Sequence, residues 1–265
     1  MLLAASFTLF AVLSCTKPDA GTKKPGTEEP GKEDVLFPEA PEQVIVENLF
    51  HVDFVTDLAD APYMKDRKTD DVITFIKSRS GKKPLVYMID RMDFEVGKVN
   101  PSVLAARDLS MSPFFAQCRR TTENKIPGTA ILTLYPISDY DGTVLEMDNF
   151  ISGCKLRAPL QQPEELTFYT SRFETFGQVK SMFRAKATRL QKNSIVTGTV
   201  RKEAAPEMKE FAEKEIGCRL EIIEGKDTEY DFFAMIPAAF VFRGVTLEKS
   251  GDNIGYFHVS IEKLV

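Results

Sequence analysis

Residues 84–90, PLVYMID, form a continuous apolar run that ends in a carboxylate. A strand with one face in water alternates apolar and polar residues, whereas a strand buried on both faces does not. The segment SIVTGTVR at 194–201 begins with the same buried pattern, at Ile195 and Val196. Strands of this kind need packing layers on both sides, so the sequence predicts a layered α/β fold.

Amphipathic segments supply the helices for those layers. Helices are predicted at 70–81, 101–109, 177–191 and 205–217, where apolar residues recur at helical spacing. Predicted strands outnumber helices and include QVIVENLF at the start, residues 43–50. The pattern predicts one α/β domain over residues 43–265, built from mixed or antiparallel sheets with flanking helices.

The first 15 residues, MLLAASFTLFAVLSC, are uncharged and apolar, and they have the length of a signal-peptide core. The ending Val12-Leu13-Ser14-Cys15 resembles a bacterial lipobox, in which the cysteine is lipidated. Residues 16–42 are rich in Pro, Gly, Lys and Glu, which predicts a disordered tether of roughly 30 Å. We expect an exported protein anchored to a bacterial membrane through Cys15. An ordinary signal peptide with an incidental cysteine is the alternative.

Composition narrows the classes of function. The net charge is −5, which argues against a nucleic-acid-binding surface. The chain has two histidines, His51 and His258, which argues against a histidine-rich metal centre. Beyond Cys15 there remain Cys118, Cys154 and Cys218; two of them could form a disulfide in an exported protein, and the sequence leaves open which.

The order of the segments carries a family resemblance. An early strand with an Asn and an apolar strand ending in a carboxylate are followed by GTAILTLYPI, LTFYTSRFE, a long helix, SIVTGTVR, EYDFFAM and SGDNIGYFHV. This order resembles the endonuclease/exonuclease/phosphatase family of magnesium-dependent phosphodiesterases and phosphatases. Family members commonly read G-[NT]-A-I-L-S-R-Y-P-I where this chain has residues 128–137. The resemblance implies a four-layer α-β-β-α sandwich with two packed mixed β-sheets.

The family's metal and phosphate groups have partial matches in the first half of the domain. Asn48 matches an Asn on the first strand, and Asp90 stands where the family has a metal-binding Glu. The resemblance therefore implies Asp90 and Asn48 as the residues for any Mg²⁺. Arg172, in TSRF, replaces the His that contacts the scissile phosphate in the family.

The second half of the domain departs further from the family pattern. In GTVR, Thr199 and Arg201 replace the Asp and Asn of Gly-Asp-Phe-Asn. Asp231 resembles a family aspartate in a similar apolar strand. Asp252 is kept from Ser-Asp-His, while Asn253 replaces the catalytic His. General base catalysis needs a group that accepts a proton near neutral pH, and threonine, arginine and asparagine cannot do so.

The sequence therefore predicts a catalytically degenerate domain that works as a binding or interaction module for a ligand or protein at the cell surface. We expect a monomer without a resident cofactor. The alternative is a hydrolase of phosphoric esters that uses Mg²⁺ at an altered site. Asp90, Asp231 and Asp252 also have structural interpretations as caps or turn residues. The two arginines could bind an anion, or pair with Asp90 and Asp252 and fill the site.

Overall fold

The computed structural model describes most of the chain from Asn48 onward, and residues 43–265 form one compact unit. The described residues are 48–57, 69–78, 84–90, 92, 94–117, 124–146, 149–158, 160–226, 228–250 and 254–264. The expectations for Cys15, Cys118, Asp252, Asn253 and the tether fall outside them.

The first sheet has six strands in the order β13-β14-β1-β2-β6-β4. Only β1 and β2 are parallel; the other pairs are antiparallel, so the sheet is mixed. Numbered along the chain, its strands are β1 Leu49–Asp57, β2 Val86–Ile89, β4 Ser112–Gln117, β6 Gly128–Thr133, β13 Phe240–Ser250 and β14 Ile254–Lys263.

The second sheet also has six strands, in the order β11-β12-β10-β9-β8-β7, and is mixed because β9 and β10 are parallel. Its strands are β7 Ile137–Glu146, β8 Asn149–Ala158, β9 Glu164–Phe173, β10 Ser194–Arg201, β11 Cys218–Ile223 and β12 Tyr230–Pro237. A small separate ribbon pairs β3 Phe94–Glu95 with β5 Lys125–Ile126.

Helices cover the outer face of each sheet. They are α1 Thr69–Ser78, α2 Pro101–Leu109, α3 Phe176–Lys192 and α4 Ala205–Phe211, the last continued by a π-helical turn at Ala212–Ile216. Local sequence fixes where two of them begin. Asn100 caps α2 by accepting a hydrogen bond from the Ser102 amide at 2.9 Å, and Thr175 caps α3.

Three apolar cores hold the four layers together. The central core lies between the sheets, where Phe54 and Val52 meet residues such as Phe168 and Phe232 from the second sheet. A second core lies between the second sheet and α3 and α4, and a third between the first sheet and α1 and α2. The predicted α-β-β-α sandwich with two packed mixed sheets is confirmed.

The first strand differs from its prediction at 43–50, because the strand begins at Leu49 and runs to Asp57. Its inward residues alternate with His51 and Asp53 on the outer face, so it lacks the continuous apolar run of β2. Near the carboxyl terminus, the long strand β13 has an irregularity in its pairing between Phe242 and Gly244.

Cys154 and Cys218 are free thiols, both buried. Cys154 lies in the central core, where burial raises the pKa of its thiol to about 12. Cys218 lies in the core under the helices of the second sheet, where burial raises its pKa to about 11. Within the described ranges, no helix has the length and apolar character needed to cross a membrane.

Candidate functional site

The parallel pairs β1–β2 and β9–β10 bring four carboxyl-terminal strand ends to one end of the sandwich. Polar residues replace the apolar core there, and we call them the strand-end cluster: Thr56, Asp90, Arg172, Glu174, Thr199, Arg201 and Tyr230. Contacts across the sheets define this end. Thr199 Oγ1 lies 3.5 Å from Asp90 Oδ2, and Thr197 Oγ1 lies 3.1 Å from the Met88 sulfur.

Asp90 follows directly after β2 and is 2% exposed. Its backbone amide donates to the Val55 carbonyl at 3.0 Å, which continues the pairing of β2 with β1. The carboxylate oxygen Oδ2 accepts hydrogen bonds from Thr56 Oγ1 at 3.3 Å and, more weakly, from Thr199 Oγ1 at 3.5 Å. The carboxylate is thus enclosed by neutral hydroxyl groups.

Arg172 lies on β9 beside Thr199 on β10 and shares the face between the sheets. Its side chain is only 8% exposed, and its guanidinium carbon lies 3.7 Å from the centre of the Tyr230 ring, a close cation–π contact. Its Nε is 3.7 Å from Glu174 Oε1, and neither Nε nor Nη1 makes a hydrogen bond within the described part of the chain. The charge of Arg172 is therefore balanced mainly by Glu174.

Glu174 also holds the second arginine. Arg201 Nε donates to Glu174 Oε2 at 3.0 Å, and Arg201 Nη1 donates to Glu229 Oε2 at 2.6 Å. The Tyr230 hydroxyl donates to Glu174 Oε2 at 2.6 Å. Burial alone would raise the pKa of Glu174, but these hydrogen bonds and the charges of both arginines outweigh it and lower that pKa. Two arginines and two glutamates give this group no net charge.

The internal salt bridges expected for Arg172 and Arg201 are present, but their partners are glutamates, and not Asp90 as expected. Glu174 was not predicted from the sequence, although a usable signal existed. Residues two apart on a strand share a face, so Glu174 directly after β9 continues the face of Arg172. Tyr230 and Thr56 were missed as well.

The structure does not bring Asn48, expected with Asp90 at any metal site, to this cluster. Asn48 precedes β1, has φ 52°, and its carbonyl accepts from the Lys263 amide at 2.9 Å. Thr56, eight positions later on the extended strand and roughly 26 Å away, is the residue next to Asp90. The cause is the misplaced first strand, since a strand ending at 50 would put residue 48 near its carboxyl end.

Asp231 is close in sequence but lies on the other face of β12. It is paired with Val200, whose side chain belongs to the core under the helices, while the neighbouring Tyr230 faces the sheets' interior. Its Oδ1 accepts a hydrogen bond from the Gly225 amide at 3.1 Å. The contact supports a structural role for Asp231, in holding the turn before β12.

The residues around Asp90 do not fit a magnesium ion. Magnesium keeps several water ligands and uses one or two carboxylates. Here Thr56 and Thr199 seal the carboxylate, with at most 2% of any of the three side chains exposed. Within the described ranges, no group of three His, Cys, Asp or Glu side chains is placed to hold a metal.

Comparison with solved structures identifies the fold. An endonuclease/exonuclease/phosphatase family protein from Leptotrichia buccalis matches with a TM-score of 0.56 and 9% sequence identity, over 80% of this chain and 99% of that one. The fold is that of the endonuclease/exonuclease/phosphatase proteins. The Neisseria 3′ phosphatase NExo, bound to a product DNA hairpin, matches with a TM-score of 0.55 and 6% identity, over 81% of this chain and 99% of NExo.

A third structure of the same fold is TDP2 from D. rerio, complexed with a single-stranded DNA product. It matches with a TM-score of 0.51 and 11% identity, over 82% of this chain and all of TDP2. No protein-family model matches the sequence, and no curated protein matches it. At these identities the likeness establishes the fold alone, because proteins that share a fold can differ in function.

Proposed function

We propose that this protein is an exported, lipid-anchored protein whose phosphodiesterase-like domain is a binding or interaction module, without catalysis at the phosphodiesterase site that the family resemblance implies. The observation that carries the proposal is the strand-end cluster. Arg172 and Arg201 are neutralised by Glu174 and Glu229, and Asp90 is enclosed by two threonines. A site whose charged side chains are paired with one another in this way is suited to recognition at its rim more than to hydrolysis inside it.

The chemistry of the cluster supports the same proposal. Hydrolysis of a phosphoric ester needs a base for the attacking water and groups that receive charge in the transition state. Thr199 cannot act as a base near neutral pH, and Arg201 already donates to two glutamates. The alternative is a phosphoric ester hydrolase with an altered site. It draws support from Asp90, which ends β2 where the resemblance implies a metal-binding carboxylate.

We expect no phosphodiesterase, phosphatase or nuclease activity above buffer when the full chain is purified in detergent and assayed with Mg²⁺ or Mn²⁺. The reason is the missing proton acceptor at Thr199 and Asn253. Turnover that co-elutes with the protein and disappears in Asp90→Asn would establish the alternative. Asp231→Asn is the matched control, since Asp231 lies on the opposite face of its sheet and its loss should leave such turnover unchanged.

The anchoring half of the proposal rests on Val12–Cys15 and on the tether at 16–42. Cys15→Ala should move the protein from the membrane fraction to the soluble fraction, because acyl chains supply about 0.8 kcal/mol of membrane affinity per buried methylene. Ser14→Ala keeps a small residue before the cysteine and should leave the protein on the membrane. A Cys15→Ala protein that still sediments with membranes after carbonate washing would refute the lipid anchor.

The binding partner is proposed as a ligand or protein at the cell surface. A tether of roughly 30 Å would hold the domain clear of the membrane and leave its surface accessible. The net charge of −5 favours a partner other than nucleic acid. We propose a monomeric domain at the outer end of this tether.

A further inference from the structure

The protein's two histidines lie together on the outer face of the first sheet. His51 on β1 is opposite Ser260 on β14, and Asp53 is opposite His258. The two imidazole rings stack with their centres 5.1 Å apart and their planes 25° from parallel. With Tyr256 these residues form what we call the histidine cluster, on the face of β1 opposite to Thr56 and the strand-end cluster.

Hydrogen bonds join the cluster in a fixed order. Ser260 Oγ lies 3.4 Å from His258 Nε2, and His258 Nδ1 lies 2.5 Å from Asp53 Oδ1. His51 Nδ1 lies 2.9 Å from the same Ser260 Oγ. One arrangement of protons satisfies all three contacts: His51 donates to Ser260, Ser260 donates to His258, and His258 donates to Asp53.

Asp53 is held in place from two sides. Its Oδ1 meets His258, and its Oδ2 accepts a hydrogen bond from the Tyr256 hydroxyl. Asp53 is 2% exposed and Tyr256 is 5% exposed, and the Tyr256 ring packs edge-to-face against Phe75 of α1. A buried carboxylate with both oxygens engaged can fix the orientation and tautomer of the imidazole next to it.

The reacting end of the cluster is open to solvent. The His258 side chain is 34% exposed, and His51 and Ser260 are partly exposed. Gly244 of β13 is opposite Ser260 and has no side chain; a Cβ placed there would still be 3.9 Å from Ser260 Oγ. The backbone at Gly244 thus leaves room beside the hydroxyl group for at least one methyl group.

We propose that Ser260 is an activated nucleophile that takes the acyl group from small, uncharged carboxylic esters. His258 is its general base, and Asp53 is a positioning residue that acts through His258. The order Ser–His–Asp, with the base oriented by a buried carboxylate, is the arrangement that activates a serine hydroxyl on unrelated folds. The adjacent Arg243–Glu262 ion pair adds no net charge, which fits an uncharged substrate.

Ester hydrolysis at Ser260 has an acylation step and a deacylation step. Ser260 Oγ attacks the ester carbonyl carbon, and its proton passes to His258 Nε2. The tetrahedral intermediate collapses, the C–O bond to the alcohol breaks, and the alcohol leaves with the proton from His258. Water then attacks the acyl-serine, giving its proton to His258, and the carboxylic acid leaves while that proton returns to Ser260 Oγ.

The predicted turnover is slow. His51 Nδ1 lies 2.9 Å from Ser260 Oγ, but the oxyanion develops on the carbonyl oxygen of the substrate, and no donor for that atom is assigned among the described residues. The absence of one oxyanion donor lowers the rate by about 10²–10³ in well-studied hydrolases. We therefore expect covalent labelling by a reagent that forms a stable adduct to be a more sensitive readout than turnover.

The test is labelling of the full chain, purified in detergent, with a fluorophosphonate probe. Ser260 attacks phosphorus, the P–F bond breaks, fluoride leaves, and the proton passes to His258. Intact mass should show one adduct, and peptide mapping should place it on Ser260. Ser260→Ala should abolish the adduct, and His258→Gln should slow its formation about 100-fold or more. Ser138→Ala, at an exposed serine that donates to the Lys155 carbonyl, is the matched control and should label normally.

Hydrolysis of p-nitrophenyl acetate provides the readout for Asp53. Asp53→Asn should lower kcat about 100-fold or more and leave KM unchanged, and a retained cooperative thermal transition would show that the fold is intact. The absence of an adduct on the unmodified chain, or an adduct at any other serine, would overturn the proposal. Peptide mapping on the unmodified chain decides this even if a variant fails to fold. Neither outcome bears on the phosphoric ester assays, because the two sites share no residue.

Discussion

A Gly198→Ala protein is expected to lose about 3 kcal/mol or more of its free energy of unfolding. A Cβ at this position would lie 1.7 Å from the Ser171 carbonyl oxygen and 3.0 Å from a Phe233 ring carbon. Strand β10 is hydrogen-bonded on both sides, to β9 and β12, so it cannot move away from Ser171. The glycine of GTVR therefore has a packing role even though the residues after it no longer match the family pattern.

Urea unfolding followed by far-UV circular dichroism measures this effect in a chain without tryptophan. Gly244→Ala is the control, because that glycine also lies in a strand but its added Cβ would meet nothing closer than 3.9 Å. We expect Gly244→Ala to stay within about 1 kcal/mol of the unmodified protein. Equal midpoints for the two variants would show that the contact with Ser171 does not constrain the fold.

Glu174→Gln is expected to lower the free energy of unfolding by about 2–3 kcal/mol at pH 7. Removing one member of a buried ion pair leaves the other charge uncompensated, at about 3–5 kcal/mol for complete burial. Glu174 is 24% exposed and Arg172 is 8% exposed, so the expected cost is somewhat lower. Glu229→Gln is the control. It removes a charge from the same group, but Glu229 is 61% exposed, and we expect a loss below about 1 kcal/mol.

The pH dependence of stability distinguishes the loss of the Glu174 charge from the loss of its packing. The pKa of Glu174 is lowered in the folded protein, so its contribution to stability is complete above the ordinary value of 4.5 and is lost as pH falls through the lower folded-state value. The stability difference between the unmodified protein and Glu174→Gln should therefore shrink in acid. A penalty that is equal at pH 7 and pH 3 would mean that lost packing, and not lost charge, is responsible.

The sequence was sufficient to predict structure where the signal lies within a single segment. The run before Asp90 predicted a strand buried on both faces, and Asp90 is indeed buried at its end. Helix α2 matches its predicted bounds, because Asn100 and Pro101 provide a start signal that needs no tertiary partner.

Local sequence was not sufficient where partners distant in the chain decide the structure. In β1, His51 and Asp53 are tolerated on a covered sheet only because β14 supplies Ser260 and His258, more than 200 residues later. Read alone, this alternation of polar and apolar residues does not fix where the strand begins. The same limit applies to Asp90, since whether it reaches the arginines depends on how the two sheets stack.

The pairing of β1 with β14 also decides when the domain can form. The first strand of the fold is flanked by the last one, and Asp53 bonds to a histidine 205 positions away. Contacts between such distant residues form slowly, because a long loop must close first. During synthesis, one edge of β1 has no native neighbour until residues 254–263 have been made. Completion of the first sheet is thereby deferred until the last strand of the domain has been made, which would suit the export proposed for this protein.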